Sequence, residues 1–176
     1  MSCELAGDET LNIVVREAEV SDALGIINIL NPIIEEGRFT ILDKTFSLKE
    51  EEAFIRQFPT RGVFQVAVLE QCNTVVGFQN VEPFATYSSA FDHVGVIGTF
   101  VDSQFRRQGI AKQLFQATFY SAKDKGYEKL FAYVRGDNDR ALSTYLNHGF
   151  EVIGTAKSHA KMRGKLIDEI LIEKFL

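Results

Sequence analysis

The chain is poor in several residue types that mark specialised proteins. Its 176 residues include no tryptophan, two cysteines, two methionines and three prolines. Cys3 and Cys72 are too few for a disulfide framework, and they lack the spacing of a metal site. We therefore expect no metal in the functional site.

Long apolar runs and positive charge are also scarce. No stretch approaches the roughly 20 apolar residues that a membrane-spanning helix needs. A formal net charge of −5 argues against a broad nucleic-acid surface. Residues 1–10 contain acidic side chains instead of the basic start of a signal peptide, so we expect a loose N-terminal extension and a cytoplasmic protein.

The hydrophobic residues that are present predict one packed domain over residues 1–176. Their share is 45%, with 15 phenylalanines. Apolar periodicity predicts a mixed α/β (α+β) domain of about seven strands and four helices, in the order β-α-α-β-β-β-α-β-α-β-β. The expected strands cover residues 12–18, 64–69, 74–81, 94–101, 130–134, 150–154 and 169–175.

Local signals set the expected helix ends. Ser47 and Glu50 form a capping-box pattern that opens the second helix. Pro32 is expected to break or restart the first helix, whose apolar stripe includes Leu24. The β-α-β unit over residues 94–134 requires parallel pairing if its two strands are neighbours.

A basic turn follows the fourth strand. Residues 101–111 read Val-Asp-Ser-Gln-Phe-Arg-Arg-Gln-Gly-Ile-Ala, and an amphipathic helix begins after Gly109. The first turn of a helix has unpaired backbone N–H groups at the positive end of the macrodipole, so it attracts anions. Gly109 has no Cβ to block an anion, and Arg106 and Arg107 add positive charge. A tight turn with two solvated arginines would show the same pattern.

A second informative stretch covers residues 138–150. Asn138 can cap a short helix there, and Gly149 ends it. Ala141 and Tyr145 are four residues apart and share one face of that helix. Taken alone, Tyr145 is more simply interpreted as an ordinary, partly buried aromatic residue.

The two stretches together resemble the GCN5-related N-acetyltransferase (GNAT) superfamily. The resemblance rests on Arg106-x-x-Gly109-x-Ala111 followed by Asn138-x-x-Ala141-x-x-x-Tyr145-x-x-x-Gly149-Phe150, and on the order of elements along nearly the whole chain. Within the superfamily, residues 33–40 and 161–168 resemble the phosphinothricin acetyltransferase-like branch. The resemblance implies an enzyme that transfers an acetyl group directly from acetyl-CoA to an amine.

The resemblance also implies a set of cofactor contacts. The backbone N–H groups of residues 107–111 would cradle the pyrophosphate, supplemented by an arginine. The N–H of Phe100, or that of Val101, would serve as oxyanion donor. Tyr145 would act as general acid towards the leaving thiolate. The expected cofactor-binding residues are Phe100, Val101, Arg106, Arg107, Gln108, Gly109, Ile110, Ala111, Asn138 and Tyr145.

The general base is left open because the sequence departs from a common pattern of the superfamily. Many relatives carry a glutamate on the fourth strand, and residues 93–101 contain no carboxylate. Glu82 and His93 are the two candidates for removing the proton of an acceptor ammonium group. Direct transfer needs no enzyme nucleophile, and neither Cys3 nor Cys72 is an attractive acyl carrier.

The expected acceptor is the primary amine of a small molecule, such as an amino acid or a toxic analogue like phosphinothricin or methionine sulfoximine. Arg38, Lys161 and Arg163 would pair with its carboxylate or phosphinate, and Phe39 would form a wall. The same residues are also consistent with solvated loop charges.

Two other functions stay open. A protein N-terminus or lysine side chain is an alternative acceptor, which an open groove would favour over a closed pocket. A non-catalytic sensor of acyl-CoA is consistent with the missing strand carboxylate, although Tyr145 argues against it. Nucleotide binding is disfavoured because the Walker lysine and the G-x-G-x-x-G spacing are absent. Members of the branch commonly pair, so a homodimer is compatible with the resemblance.

Overall fold

The computed structural model describes residues 12–176, so the expected extension over residues 1–10, with Cys3, lies outside the described residues. One seven-stranded sheet has the strand order β1-β2-β3-β4-β5-β7-β6. Its elements are β1 (Ile13–Glu17), α1 (Ala23–Glu36), α2 (Leu48–Arg56), β2 (Val63–Leu69), β3 (Thr74–Pro83), β4 (Val94–Val101), α3 (Ile110–Asp124), β5 (Lys129–Arg135), α4 (Asp139–Asn147), β6 (Glu151–Met162) and β7 (Lys165–Phe175). The predicted fold class and element order are confirmed.

Local sequence signals predict the start of α2 correctly but not the course of α1. The Ser47 hydroxyl accepts from the Glu50 N–H, and the Glu50 carboxylate accepts from the Ser47 N–H at 2.8 Å, so the capping box is present. The predicted break at Pro32 is wrong, because α1 continues to Glu36. Pro32 and Asn28 are both exposed, so water can reach the Asn28 carbonyl that loses its helical donor. Leu24 is also exposed, outside the buried stripe of α1.

The sheet opens between β4 and β5. These strands are parallel, as the β-α-β prediction requires, and they pair only over residues 94–96 and 129–131. Beyond that point β4 runs on to Val101 and β5 to Arg135, and β5 pairs with β7 instead. The result is a wedge-shaped gap at the carboxyl ends of the two strands.

The last hairpin is longer than predicted. Sequence periodicity gives strands only over residues 150–154 and 169–175, whereas β6 and β7 pair up to Met162 and Lys165. Arg163 and Gly164 form the turn with left-handed φ angles of 48° and 81°. Residues 155–168 are largely polar and exposed, so their pairing through backbone hydrogen bonds leaves little apolar periodicity to detect.

Two apolar layers cover the sheet. One contains Phe115, Leu130 and Tyr145 beneath α3 and α4, and the other contains Ile26 and Phe78 beneath α1 and α2. Side chains alternate between the two layers along each strand. Because the gap interrupts the sheet between these layers, it connects the α3–α4 face with the α1–α2 face. No helix within residues 12–176 has both the length and the apolar character needed to cross a bilayer.

Candidate active site

The start of α3 leaves an open space in front of its backbone. Gly109 is the N-cap residue, with φ 78° and no side-chain capping bond. A Cβ built on Gly109 would meet no heavy atom within 4 Å. Arg107 is also left-handed, with φ 63°. The first N–H groups of α3 thus face open space, a cradle that suits an anion.

Hydrogen bonds at both ends of β4 fix the direction of its backbone groups. The Asp102 N–H donates to the Val76 carbonyl at 3.0 Å, and the Phe84 N–H donates to the Val94 carbonyl at 3.0 Å, both towards β3. The His93 carbonyl accepts from the beginning of β5 instead. The antiparallel register between β3 and β4 is unbroken over residues 95–101. Even-numbered residues of β4 therefore direct their N–H and C=O groups towards β3, and odd-numbered residues direct theirs towards β5.

This alternation changes one predicted role. Thr99 and Val101 direct their N–H and C=O groups into the gap, where β5 no longer pairs with β4. The Phe100 N–H points towards β3, so the structure contradicts the assignment of Phe100 as oxyanion donor. The Phe100 ring stacks on Phe78 with centroids 4.9 Å apart. Thr99 and Val101 are therefore the residues at the end of β4 whose backbone N–H groups point into the gap.

Tyr145 lies at the edge of the gap in a short chain of polar groups. Its hydroxyl is 3.0 Å from the Thr99 Oγ1, which also accepts from the Gln79 Nε2 at 2.7 Å. The Tyr145 ring packs edge-on against Phe115 and Phe150. Burial raises the pKa of Tyr145 to about 12, against a smaller lowering by the bond to Thr99. The hydroxyl is therefore protonated at neutral pH and available as a donor.

The gap encloses a cavity of about 110 Å³. It lies between the ends of β4 and β5, the beginning of α4, β7 and the loop that follows α1. Its lining residues are Phe39, Thr40, Ile41, Ile97, Gly98, Thr99, Phe100, Tyr133, Val134, Arg135, Asn138, Ala141, Tyr145 and Glu169.

A buried arginine holds the loop after α1 over this cavity. Arg135 is 7% exposed and donates to the carbonyls of Gly37 and Thr40 at 2.9 and 3.1 Å. Its other nitrogens form a bidentate pair with Asp137 at 2.7 and 2.8 Å. That hydrogen-bonded pair lowers the pKa of the Asp137 carboxyl and raises the pKa of Arg135. Arg135 is therefore fully engaged with the protein.

The chain also matches a known protein family. The family model described as the acetyltransferase (GNAT) family matches residues 30–150, well over half of the chain. The chain belongs to the GNAT acetyltransferase family. The predicted recognition is thereby confirmed, and the wedge between β4 and β5 is the cleft of a GNAT domain.

Curated proteins match part of this GNAT domain. The mycothiol acetyltransferase of Rhodococcus jostii is 29% identical over 129 residues, which are 72% of this chain and 40% of that protein. The chain thus spans less than half the length of that curated relative.

Solved structures match over nearly the whole chain. An N-acetyltransferase from Staphylococcus aureus Mu50 is 25% identical, with a TM-score of 0.84 over 93% of this chain and 98% of that one. A GNAT superfamily phosphinothricin acetyltransferase from Sinorhizobium meliloti, solved in complex with AcCoA, is 19% identical, with a TM-score of 0.84 over 93% of this chain and 88% of that one.

The two predicted base candidates are separated by the fold. His93 is exposed just before β4, about 20 Å along the chain from Thr99, a position that disfavours it as the base. Glu82 lies half-buried on β3, opposite Val96, where the gap begins. Burial raises the pKa of Glu82, and the Asn80 Nδ2 donates to its carboxylate at 3.1 Å.

The predicted anchors for the acceptor and the cofactor differ in their availability. Arg38 and Lys161 are exposed. The Arg163 Nη2 donates to the Glu35 carbonyl at 2.8 Å, so this arginine binds the C-terminal end of α1. The Arg106 guanidinium lies 5.3 Å from the centroid of the Phe39 ring, at the mouth of the gap.

Asn138 is already engaged within the domain. Its Oδ1 accepts from the Ala141 N–H at 3.1 Å, and its Nδ2 donates to the Phe39 carbonyl at 3.2 Å. The expected cap on α4 is present, while the cofactor contact predicted for this side chain would have to replace the bond to the loop.

Four polar side chains near the gap are not predicted from the sequence, namely Gln79, Thr99, Arg135 and Glu169. Each is a polar residue within a strand, and strand alternation alone suggests that such residues face solvent. Gln79 and Glu169 are instead 0% and 3% exposed. Only the pairing of strands shows that these positions face one another. Within residues 12–176, no group of three or more His, Cys, Asp or Glu side chains could hold a metal ion.

Proposed function

We propose that this GNAT domain transfers the acetyl group of acetyl-CoA directly to a primary amine of a small molecule. The observation that carries the proposal is the position of the Tyr145 hydroxyl. It lies 3.0 Å from the Thr99 Oγ1, in the part of β4 that no longer pairs with β5. Backbone donors and a protonated phenol then border one cavity, next to the open N-terminus of α3.

The residues around the gap fit acetyl-CoA, which when bound supplies an activated acetyl group. The N–H groups of residues 107–111 would bind its pyrophosphate, with room provided by the missing Cβ of Gly109. The exposed Arg107 would add charge. Thr99 and Val101 would hydrogen-bond the pantetheine arm in place of the absent strand partner.

Three groups of the protein would then carry the chemistry. The backbone N–H of Thr99 or Val101 stabilises the negative charge that develops on the carbonyl oxygen. The Tyr145 hydroxyl donates to the leaving sulfur. The acceptor ammonium group loses a proton before the neutral amine attacks. Glu82 does not line the cavity, so it would receive this proton through ordered water, and its raised pKa brings it closer to the pH at which a general base works best.

The small volume of the cavity, about 110 Å³, favours a small acceptor over a protein. The loop over residues 37–41 covers the cavity, and Arg135 and Asn138 hold this loop. Arg163, in the turn between β6 and β7, binds the Glu35 carbonyl at the end of α1, just before the loop. A peptide would require that cover to open. Arg38 and Lys161 remain candidates for the carboxylate or phosphinate of an amino acid or its analogue, with Phe39 as a wall.

The assembly and location are further parts of the proposal. β6 is an edge strand with Val152 and Ile153 each 50% exposed, which is compatible with the expected homodimer in the cytoplasm. Light scattering would measure the mass in solution, and a mass near 20 kDa would exclude the dimer.

The experiment is acetyl transfer, followed as CoA thiol release with a panel of amino acids, phosphinothricin, methionine sulfoximine, polyamines and short peptides. Tyr145→Phe should lower kcat about 100-fold or more. Its matched control is Tyr120→Phe on α3, where the side chain is 78% exposed and kcat should be unchanged.

Calorimetric binding of acetyl-CoA separates the alternatives. Binding without release for any acceptor would favour the sensor, and release only with peptides would favour a protein acceptor. If acetyl-CoA does not bind, the assignment of the α3 cradle is wrong.

A further inference from the structure

We propose that Glu169 on β7 binds the ammonium group of the acceptor, and that the acceptor is therefore a cationic amine with an apolar or aromatic group. The inference rests on the proposed function, because it names the substrate class of the same cavity. It begins from a carboxylate that lines this cavity and has no place in the mechanism above.

The Glu169 side chain is buried without a close donor. It is 4% exposed, and its nearest ionic neighbour is the His159 Nε2, at 3.9 Å. This distance is too long for a hydrogen bond. No side chain or N–H within residues 12–176 donates a hydrogen bond to this carboxylate. The Glu169 oxygens have no protein donor within the described residues and remain accessible from the cavity, so an external donor entering it would form a charge-assisted hydrogen bond.

The arginine opposite Glu169 is engaged elsewhere. Arg135 is its direct cross-strand partner, so the two side chains share one face of the sheet. The Arg135 guanidinium, however, binds Asp137 and the carbonyls of Gly37 and Thr40. Within residues 12–176 the one ion-pair partner of the Glu169 carboxylate is then His159, which is 3.9 Å away and 56% exposed, so a ligand can take its place at close range.

Glu173 shows the contrasting case on the same strand. It lies four residues after Glu169, so it projects from the same face of β7. Its carboxylate forms an ion pair with Lys129. The protein therefore neutralises one of these two carboxylates and leaves the other at the cavity.

The other walls define what accompanies the ammonium group. Tyr133, Ile41 and Phe39 line the same cavity and provide apolar surface. Thr99 and Tyr145, which would act on the acetyl group, line it as well. An amine could therefore place its nitrogen against Glu169 and its apolar part against these three side chains. It would then lie in the same cavity as the transferred acetyl group.

The first test measures binding without any acetyl transfer. Saturation-transfer NMR would compare n-butylammonium with n-butanol, which has a similar shape and no charge, on the wild-type chain. Glu169→Gln should weaken n-butylammonium binding at least tenfold and leave n-butanol binding unchanged. Glu173→Gln is the matched control and should change neither. Glu169→Asp keeps the charge on a shorter side chain and should give an intermediate affinity.

Each outcome bears on the inference separately from the proposed function. Equal binding of n-butylammonium by the wild type and Glu169→Gln, or no binding by the wild type, would overturn the inference even if acetyl transfer is observed. Binding that depends on Glu169 in a chain that transfers no acetyl group would support the amine site and contradict the proposed activity. In an active enzyme, Glu169→Gln should raise the KM of amine acceptors at least tenfold with the Kd of acetyl-CoA unchanged.

Discussion

Replacing Gly109 by alanine tests the cradle at the start of α3. Gly109 and Gly126 lie at opposite ends of the same helix, with φ angles of 78° and 84°. A Cβ at either position would meet no heavy atom within 4 Å. Both alanine variants therefore carry the same left-handed strain, about 1–2 kcal/mol, and no clash with the protein. For a chain of this size each should lower Tm by a few degrees.

The two variants should differ in their affinity for acetyl-CoA. The new Cβ of Gly109→Ala would lie where the pyrophosphate approaches the N–H groups of residues 107–111. Displacing one charge-assisted hydrogen bond costs about 1.5–3 kcal/mol, so Kd should rise roughly tenfold to 100-fold. Gly126→Ala should leave Kd unchanged, because Gly126 lies at the other end of the helix.

Calorimetry with acetyl-CoA gives the Kd, and thermal unfolding gives the shared cost in stability. S-acetylpantetheine, which lacks the pyrophosphate, provides a second control, since its kcat/KM should be the same in both variants. If Gly109→Ala and Gly126→Ala bind acetyl-CoA equally well, the pyrophosphate does not lie at the start of α3 and the assignment of residues 107–111 fails.

Three further predictions follow from other contacts. Burial raises the pKa of Glu51 to about 7, so its ionisation opposes folding above pH 7, and this cost disappears as pH falls from 7 to about 4.5. Glu51→Gln should therefore raise the free energy of urea unfolding by up to about 3 kcal/mol at pH 8 and by little at pH 4. An equal gain at both pH values would contradict the raised pKa of Glu51. Glu82→Gln should lower kcat and remove the acid limb of the pH–rate profile, whereas His93→Gln should change neither; a profile unaffected by Glu82→Gln would exclude it as the base. Arg163→Met removes the bond to the Glu35 carbonyl and should raise the acceptor KM several-fold without changing the Kd of acetyl-CoA, and an unchanged KM would show that this bond does not position the loop.

The sequence predicts features that depend on neighbouring residues and misses those that depend on strand pairing. The capping box at Ser47 and the turn at Gly109 depend on a few adjacent residues, and both are present. The assignment of Phe100 failed because a one-residue shift reverses the direction of a strand's backbone groups, and only the bonds to β3 fix that direction. The length of the last hairpin was missed because its polar residues pair through the backbone at the edge of the sheet.

Glu169 could not be found from the sequence because its surroundings also depend on strand pairing. The run from Glu169 to Phe175 reads Glu-Ile-Leu-Ile-Glu-Lys-Phe, and the charged residue before its three apolar residues looks like a solvated strand end. The structure places Arg135 opposite Glu169, and the loop after α1 covers both. A position that the local sequence places in solvent thus lines a cavity.

The gap between β4 and β5 also has a consequence for stability. Thr99 and Val101 lose a strand partner there, although the Val101 carbonyl accepts from the Arg106 Nε at 3.3 Å. Backbone groups that stay unpaired cost about 1–3 kcal/mol each when they are removed from water. Bonds from Arg135 on β5 and from Asn138 hold the loop over the gap, and Arg163 in the last hairpin binds α1 just before it. Because three separate elements fix one loop, a substitution in any of them changes the space above Glu169 and Thr99. Acceptor selectivity should therefore respond to all three positions, whereas acetyl-CoA affinity should depend on β4 and α3.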